Sequence, residues 1–227
     1  MNITELENEL FERWKQKYGG KFMSDGVPCP EDFEKENIKI TFVLKEANEP
    51  IGNWDMRDWI NECGADKQGG TWNNIARWTQ AILEGGDYQQ NISTANRRRL
   101  LKRISFLNLK KVGGSEKSKP HEIRRYAQDD AALILEQLTI YRPDIIVGGG
   151  INLVANCLGD DVFHYEGGWD CYLEYKSCRC FYAQIPGKAG KTAVLNCYHP
   201  QNRGSGYTAK DLFNAIASVS PKLLEGR

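Results

Sequence analysis

The sequence has no excess of charge of either sign, because its 227 residues include 30 Lys and Arg against 30 Asp and Glu. A protein that coats nucleic acid indiscriminately is basic overall, so this balance excludes that class. The chain also lacks any apolar run of about 18 residues, the length that a membrane-spanning helix needs. Residues 1–14 are acidic and amphipathic, which differs from a secretory signal peptide. We therefore expect a cytoplasmic protein that does not contact a membrane.

The seven cysteines lack the paired spacing of a zinc ribbon. Cys178 and Cys180 form a C-x-C pair and no C-x2-C pair occurs, so we expect reduced thiols and no metal site. Internal repeats and low-complexity tracts are also lacking. With 41% hydrophobic and 26% charged residues, the composition predicts one globular domain over residues 1–227, with helix 3–17 as an N-terminal appendage.

The charge is nevertheless distributed unevenly along the chain. Residues 97–125 contain 11 Lys and Arg against 2 Asp and Glu, whereas the rest of the chain is acidic by the same amount. A concentrated basic stretch on a neutral protein indicates a candidate anion-binding face. The alternative is a solvated helix and loop that bind nothing, and charge alone favours that alternative.

Hydrophobic periodicity predicts that helices and strands alternate along the chain. This order is typical of a mostly parallel sheet with helices on both faces. We therefore predict an α/β fold of three layers, α/β/α, with a central, mostly parallel four-stranded sheet and a small antiparallel insertion around 162–185. The predicted strands are 38–44, 104–107, 144–147 and 192–197, and the helices after the first are 71–83, 94–103, 121–141, 151–158 and 208–224, with 45–70 irregular.

Polar side chains follow three of the four predicted strands. In an open parallel sheet, ligands bind beyond the carboxyl ends of the strands. The segment Lys45-Glu-Ala-Asn-Glu-Pro50 follows the first strand, Asn108 ends the second, and His199 follows the last, with Arg203 in a Gly-rich turn beside it. Asn108 could read an amide-like ligand edge with its donor and acceptor, or simply form a turn. His199 could serve as a ligand contact, or as a capping or core histidine.

Two further features are open to two interpretations. Trp72 could stack on a nucleic-acid base, or it could be a core aromatic residue at a helix start. The triple glycine at 148–150 follows the third strand, but it lacks the Lys-Ser/Thr of a P-loop and the spacing of a dinucleotide fingerprint. We interpret it as a tight turn between a strand and a helix.

From Ile38 to the C-terminus, the chain resembles the uracil-DNA glycosylase superfamily in five ordered segments. Lys45-Glu-Ala-Asn-Glu-Pro50 is similar to the first active-site loop (G-E-A-P-G, G-Q-D-P-Y or G-x-N-P-G), and Gly70-Thr-Trp-Asn73 is similar to the G-x-P-F segment that stacks on the flipped base. The other segments are Phe106-Leu-Asn-Leu-Lys-Lys111, Arg142-Pro-Asp-Ile-Ile-Val-Gly-Gly149 and Tyr198-His-Pro-Gln-Asn-Arg203, the last of which resembles the H-P-S motif.

The chain departs from the family pattern at the first loop. Lys45 replaces the glycine of that loop, and Ala47 or Asn48, depending on register, occupies the position of the water-activating Asp or Asn. Glu46 matches the acidic residue of the G-E-A-P-G branch, and Gln201 replaces the Ser of H-P-S. The cysteine spacing of the iron–sulfur members is absent, so we predict no cluster.

The resemblance implies a monofunctional DNA glycosylase that hydrolyses the N-glycosidic bond of uracil or a related deaminated base. It implies His199, Glu46 and Asn48 as catalytic residues, Trp72 and Asn108 as base-binding residues, and Lys110, Lys111 and Arg203 as contacts to the DNA backbone. It implies no metal or organic cofactor. We expect single- or double-stranded DNA as the partner, and a monomer. The alternatives are an inactive nucleic-acid-binding protein that retains the fold and, third, an enzyme that acts on a free nucleoside or nucleotide.

Overall fold

The computed structural model describes residues 1–48, 52–64, 69–114, 118–150, 153–162, 173–175, 178–201 and 206–225. Its strands are β1 (Met23–Ser24), β2 (Ile40–Leu44), β3 (Trp54–Asp55), β4 (Ser105–Asn108), β5 (Ile145–Gly149), β6 (Leu173–Tyr175), β7 (Cys178–Ala183) and β8 (Thr192–Cys197). Its α-helices are α1 (Ile3–Tyr18), α2 (Pro30–Lys35), α3 (Met56–Trp59), α4 (Gly70–Leu83), α5 (Thr94–Leu101), α6 (Pro120–Asp129), α7 (Ala131–Tyr141), α8 (Leu153–Val162) and α9 (Ala209–Glu225).

The central sheet has the strand order β4-β2-β5-β8-β7-β6. Its first four strands pair in parallel, β7 continues the sheet antiparallel to β8, and β6 pairs antiparallel with β7. The four parallel strands are mostly apolar and are buried along their whole length, as expected for a sheet that is covered on both faces. The predicted three-layer α/β/α fold with a mostly parallel sheet is confirmed.

The predicted antiparallel insertion forms the edge of this sheet. Strands β6 and β7 form the hairpin, and β7 pairs with β8 from Cys178 to Ala183. Within the predicted insertion, residues 163–172 and 176–177 lie outside those described, and Val162 ends helix α8.

Helix layers cover both faces of the sheet. On one face α4, α5 and α9 bury side chains such as Trp78, Leu101 and Ile216. On the other face α1, α6, α7 and α8 form a second cluster. Within the described residues, no helix combines the length and the apolar character that crossing a bilayer requires.

Helix α1 is an integral part of its layer, which corrects the prediction that helix 3–17 is an appendage. A capping box between Asn2 and Glu5 starts the helix. Its apolar residues Phe11 and Trp14 are at most 1% exposed and belong to the core cluster of that layer. The helix is therefore part of the core and not an addition to its surface.

The predicted long helix 121–141 is divided into α6 and α7 at Asp130, whose backbone leaves the helical conformation (φ −109°, ψ 9°). The Asp130 side chain is buried there. It accepts hydrogen bonds from Nζ of Lys17 at 2.6 Å and from the hydroxyl of Tyr18 at 2.9 Å. Partners on another helix thus stabilise a break that the periodicity of the segment does not indicate.

Part of the segment predicted as irregular, 45–70, is ordered structure. Strand β3 pairs in parallel with β1, and α3 is followed by a π-helical turn, Ile60–Gly64. Asp55 caps α3 by accepting a hydrogen bond from the backbone N–H of Arg57 at 2.8 Å. This ordered unit lies beside the carboxyl ends of the parallel strands and forms one wall of the candidate site.

Candidate active site

A cleft of about 370 Å³ opens at the carboxyl-terminal edge of the parallel strands. This is where the topology of an open parallel sheet leaves room for a ligand. The cleft is lined by Leu44, Lys45, Glu46, Ala47, Asn48, Trp54, Met56, Trp59, Thr71, Trp72, Asn108, Ser118, His199 and Gln201. Five of the predicted site residues therefore meet in one cleft: Glu46, Asn48, Trp72, Asn108 and His199.

Asn108 presents an unused hydrogen-bond acceptor in the cleft. The residue is 2% exposed, and its Oδ1 accepts no hydrogen bond within the described part of the chain. Its backbone N–H donates to Oδ2 of Asp25 at 2.5 Å, which fixes the end of β4. A buried acceptor without a partner costs free energy unless a ligand or water bonds to it. An N–H group of a ligand, or a water molecule in the cleft, would satisfy Oδ1 of Asn108.

His199 is held as a neutral imidazole. The backbone N–H of Gln201 donates to Nδ1 of His199 at 3.1 Å, so the ring proton is carried by Nε2. Burial, and secondarily the positive charge of Lys45, lower the pKa of His199 to about 4. At neutral pH the side chain is thus a hydrogen-bond donor through Nε2–H and carries no charge.

The turn after His199 is anchored to helix α4. The buried side chain of Asn74 donates through Nδ2 to the carbonyl of Pro200 at 2.6 Å. Arg77 in turn donates to Oδ1 of Asn74 at 2.8 Å. The helix that carries Trp72 therefore also positions the loop that carries His199.

Three tryptophans form an aromatic wall of the cleft. The ring of Trp72 lies 4.9 Å from that of Trp59 between centroids, and the ring of Trp59 lies 5.7 Å from that of Trp54. Trp72 also packs edge-on against Phe106 at 5.8 Å. The ring of Trp72 packs against the core and also lines the cleft, and its stacking on a base stays a prediction. A wall of this kind offers a planar ligand a stacking surface.

Glu46 also lines the cleft, and it forms an ion pair with Lys110. Nζ of Lys110 is 2.6 Å from Oε2 of Glu46, and the two side chains are 7% and 4% exposed. The loop that follows β4 runs along the first loop, and the backbone N–H of Gly114 donates to the carbonyl of Ala47 at 2.9 Å. A Cβ at Gly114 would overlap the carboxyl group of Glu46, so this glycine allows the close approach.

Two more residues of the first loop border the cleft. Asn48 is exposed at its mouth, and Lys45 is half-buried and lies near His199, whose pKa it helps to lower. A Cβ on Gly150 would lie 3.7 Å from Cε of Lys45, so the glycine turn after β5 borders this lysine. The cleft thus combines a cation, a paired carboxylate, an amide and a neutral imidazole.

Lys110 and Lys111 were predicted as contacts to the DNA backbone, and the structure corrects both predictions. Lys111 is 0% exposed, and its ammonium lies 2.7 Å from Asp25, which is equally buried. Lys110 is 6% exposed and its charge is matched by Glu46. Neither ammonium is accessible to a phosphate, because both are enclosed and already paired.

Carboxylates from elsewhere in the chain neutralise much of the basic stretch 97–125. The pairs are Arg99–Glu84, Arg103–Glu84, Arg103–Glu36, Lys110–Glu46 and Lys111–Asp25. Lys119, Arg124 and Arg125 remain exposed on or just before α6, close in sequence to Ser118 of the cleft. The accessible basic surface of this stretch is therefore smaller than the sequence suggests.

The remaining predicted contact, Arg203, lies outside the described residues. Conversely, sequence reasoning missed Trp54, Trp59 and Asn74. Two tryptophans close together in a segment rich in Gly, Asn and Asp were the available signal for the aromatic wall. Asn74 gave no comparable signal, because its role depends on a partner 126 residues away.

No protein-family model matches the chain, and no curated protein matches it. The function is therefore inferred from the chemistry of the cleft.

Proposed function

We propose that the cleft binds a nucleobase and that the protein hydrolyses the N-glycosidic bond of uracil or a related deaminated base in DNA. The proposal is carried by two groups that line the same cleft. One is Oδ1 of Asn108, an acceptor without a partner among the described residues, and the other is the neutral imidazole of His199, a donor. An acceptor and a donor beside an aromatic wall match the N–H and C=O groups on the edge of a lactam base.

The base would reach the cleft by leaving the helical stack. It would then stack against Trp72 and Trp59, and its N–H would donate to Oδ1 of Asn108. These contacts replace the stacking and pairing that the base loses. The exposed Lys119, Arg124 and Arg125 would contact the phosphates, together with Arg203.

Cleavage of the bond between C1′ and the base nitrogen develops positive charge on the sugar and negative charge on the base. The electron pair of the breaking bond stays on the base, and Nε2–H of His199 donates a hydrogen bond to its carbonyl oxygen. A water molecule bonds to C1′ and its proton passes to solvent. Glu46 and Asn48 would orient that water, and the carboxylate would face the cationic sugar.

A panel of oligonucleotides tests the proposal directly. Each carries one uracil, hypoxanthine or mismatched base, in single and double strands, and the product is scored as alkali-labile abasic sites. We expect cleavage of at least one deaminated base by the wild-type chain and none by His199→Ala, with binding retained. Binding without cleavage across the whole panel would instead identify an inactive nucleic-acid-binding protein.

A second candidate function is hydrolysis of a free nucleoside or nucleotide. The burial and pairing of Lys110 and Lys111 favour it, because these residues leave less basic surface for a DNA strand. This candidate predicts turnover of free deoxyuridine and no measurable affinity for oligonucleotides. Including the nucleoside in the same panel separates the two functions.

A further inference from the structure

We propose that Lys45 makes the cleft an anion-binding site, and that its ammonium stabilises the base as it departs with the electron pair of the broken bond. The ligand class is a planar lactam base in its deprotonated form. This inference rests on the proposed function and deepens it, because it assigns a catalytic role to a residue that replaces the glycine of the first loop.

The first support is the position of Lys45 relative to the two base contacts. Lys45 follows β2 directly, lines the cleft, and is close enough to His199 to lower the pKa of its imidazole. When the N–H of the base bonds to Asn108, the carbonyl group next to the glycosidic nitrogen directs its oxygen toward His199. The residue beside His199 is then also beside the atoms that gain negative charge.

The second support is the balance of charge in the cleft. The ionisable groups that face it are Lys45 and Glu46 from the loop after β2, with Lys110 bound to Glu46, and His199 from the loop after β8. Lys110 is matched by Glu46 at 2.6 Å and also lies 3.8 Å from a carboxylate oxygen of Glu122, and His199 is neutral at pH 7. Among the residues that the structure describes, no carboxylate pairs with Lys45. The charge of Lys45 is therefore not matched by a described carboxylate, and a bound anion would balance it.

The third support is the local dielectric environment. Three tryptophans, Met56 and Leu44 contribute apolar surface beside the polar lining residues, and Lys45 is itself half-buried, which reduces its contact with water. A charge in such surroundings acts more strongly on a neighbouring anion than it would at the surface. In the reaction, the bond from C1′ to the base breaks, water bonds to C1′, and the base takes a proton from solvent after release. Lys45 keeps its proton through all of these steps.

The test compares wild type, Lys45→Met and Lys45→Arg, with Lys35→Met as a matched control on an exposed lysine of α2. The first measurement is calorimetric binding of free 5-fluorouracil from pH 6 to pH 9, with 1-methyluracil as a ligand that cannot lose a proton at the glycosidic nitrogen. We expect wild-type affinity for 5-fluorouracil to rise with pH by about tenfold, which corresponds to about one pKa unit. Affinity for 1-methyluracil should stay constant over this range.

Lys45→Met should lose this pH-dependent gain, whereas Lys45→Arg and Lys35→Met should keep it. The inference is overturned if Lys45→Met and wild type gain affinity equally as the pH rises. Urea unfolding of each variant checks that a variant without the pH-dependent rise in affinity is still folded.

The second measurement is the single-turnover rate on the oligonucleotide that the wild type cleaves best. We expect Lys45→Met to be slower by about tenfold to a hundredfold, at or below the effect of removing one preorganised electrostatic donor. Equal rates would refute the role of Lys45 and leave the glycosylase function intact. If the wild type cleaves nothing yet shows the Lys45-dependent gain in binding, the glycosylase function fails and the anion site stands.

Discussion

The ammonium of Lys110 donates to the carboxylate of Glu46 across 2.6 Å in the wall of the cleft, where both side chains are less than a tenth exposed. Removing one partner of a buried pair leaves an uncompensated charge and costs about 3–5 kcal/mol. We expect Lys110→Met to lower the free energy of unfolding by about 3 kcal/mol on this basis. Urea denaturation measures this change.

The double variant Lys110→Met with Glu46→Gln is the control for that prediction. It should recover most of the lost stability, because the buried side chain at position 46 then carries no charge. Lys35→Met, on the exposed surface, should change the free energy of unfolding by less than about 0.5 kcal/mol. A double variant as unstable as the single one would show that the cost does not come from the unpaired charge.

Lys111 should contribute to stability and not to DNA binding. Its ammonium is fully buried and bonded to Asp25 and Gln137, so Lys111→Met should destabilise the fold by about 3–5 kcal/mol. Any variant protein that remains folded should keep the wild-type slope of log affinity for DNA against log salt. Arg124→Met, on the exposed part of the basic stretch, should reduce that slope by about one unit. A reduced slope in folded Lys111→Met would contradict the structural role.

Gly114 should control the position of the Glu46 side chain. A methyl group at Gly114 overlaps the Glu46 carboxyl, so Gly114→Ala should displace the carboxylate from its place in the cleft. We expect slower single-turnover cleavage and a lower free energy of unfolding, because moving the carboxylate also weakens its ion pair with Lys110. Gly20→Ala is the matched control, because its Cβ would meet nothing within 4 Å. Equal rates for both variants would mean that the position of Glu46 does not affect the reaction.

His199 should make stability depend on pH below neutrality. Burial and Lys45 lower its pKa to about 4 in the folded chain, against an ordinary value of 6.5. The unfolded chain therefore binds more protons between these values, and stability should rise as the pH increases from about 4 to about 6.5. Urea unfolding across this range should show the rise in wild type and a smaller one in His199→Gln. Identical profiles would mean that His199 is not held neutral.

The fold could be predicted because its signals are local. Buried, β-branched segments such as 192–197 and the helices between them specify a parallel sheet without knowledge of distant contacts. The break between α6 and α7 could not be predicted in this way. It depends on Asp130 meeting Lys17 and Tyr18, which lie more than a hundred residues away in the chain.

The same distinction applies to the cleft. The position of Asn108 and His199 in the cleft could be predicted, because both lie at the ends of core strands, where the topology leaves room for a ligand. The burial and pairing of Lys110 and Lys111 could not be predicted, because their partners Glu46 and Asp25 are 64 and 86 residues away in the chain. A local count of charges recognises a basic stretch but does not reveal which charges the fold pairs internally.

In the proposed reaction, Asn108 binds the N–H of a lactam base and His199 stabilises the base as it leaves. The most direct measurement is the single-turnover rate of uracil release from a single-stranded oligonucleotide by wild type, Asn108→Ala, His199→Ala and Lys35→Met. We predict release by wild type and Lys35→Met, and rates at least about a hundredfold lower for the two cleft variants, the effect of removing one such contact. Uracil release that is unchanged in Asn108→Ala and His199→Ala would contradict the account.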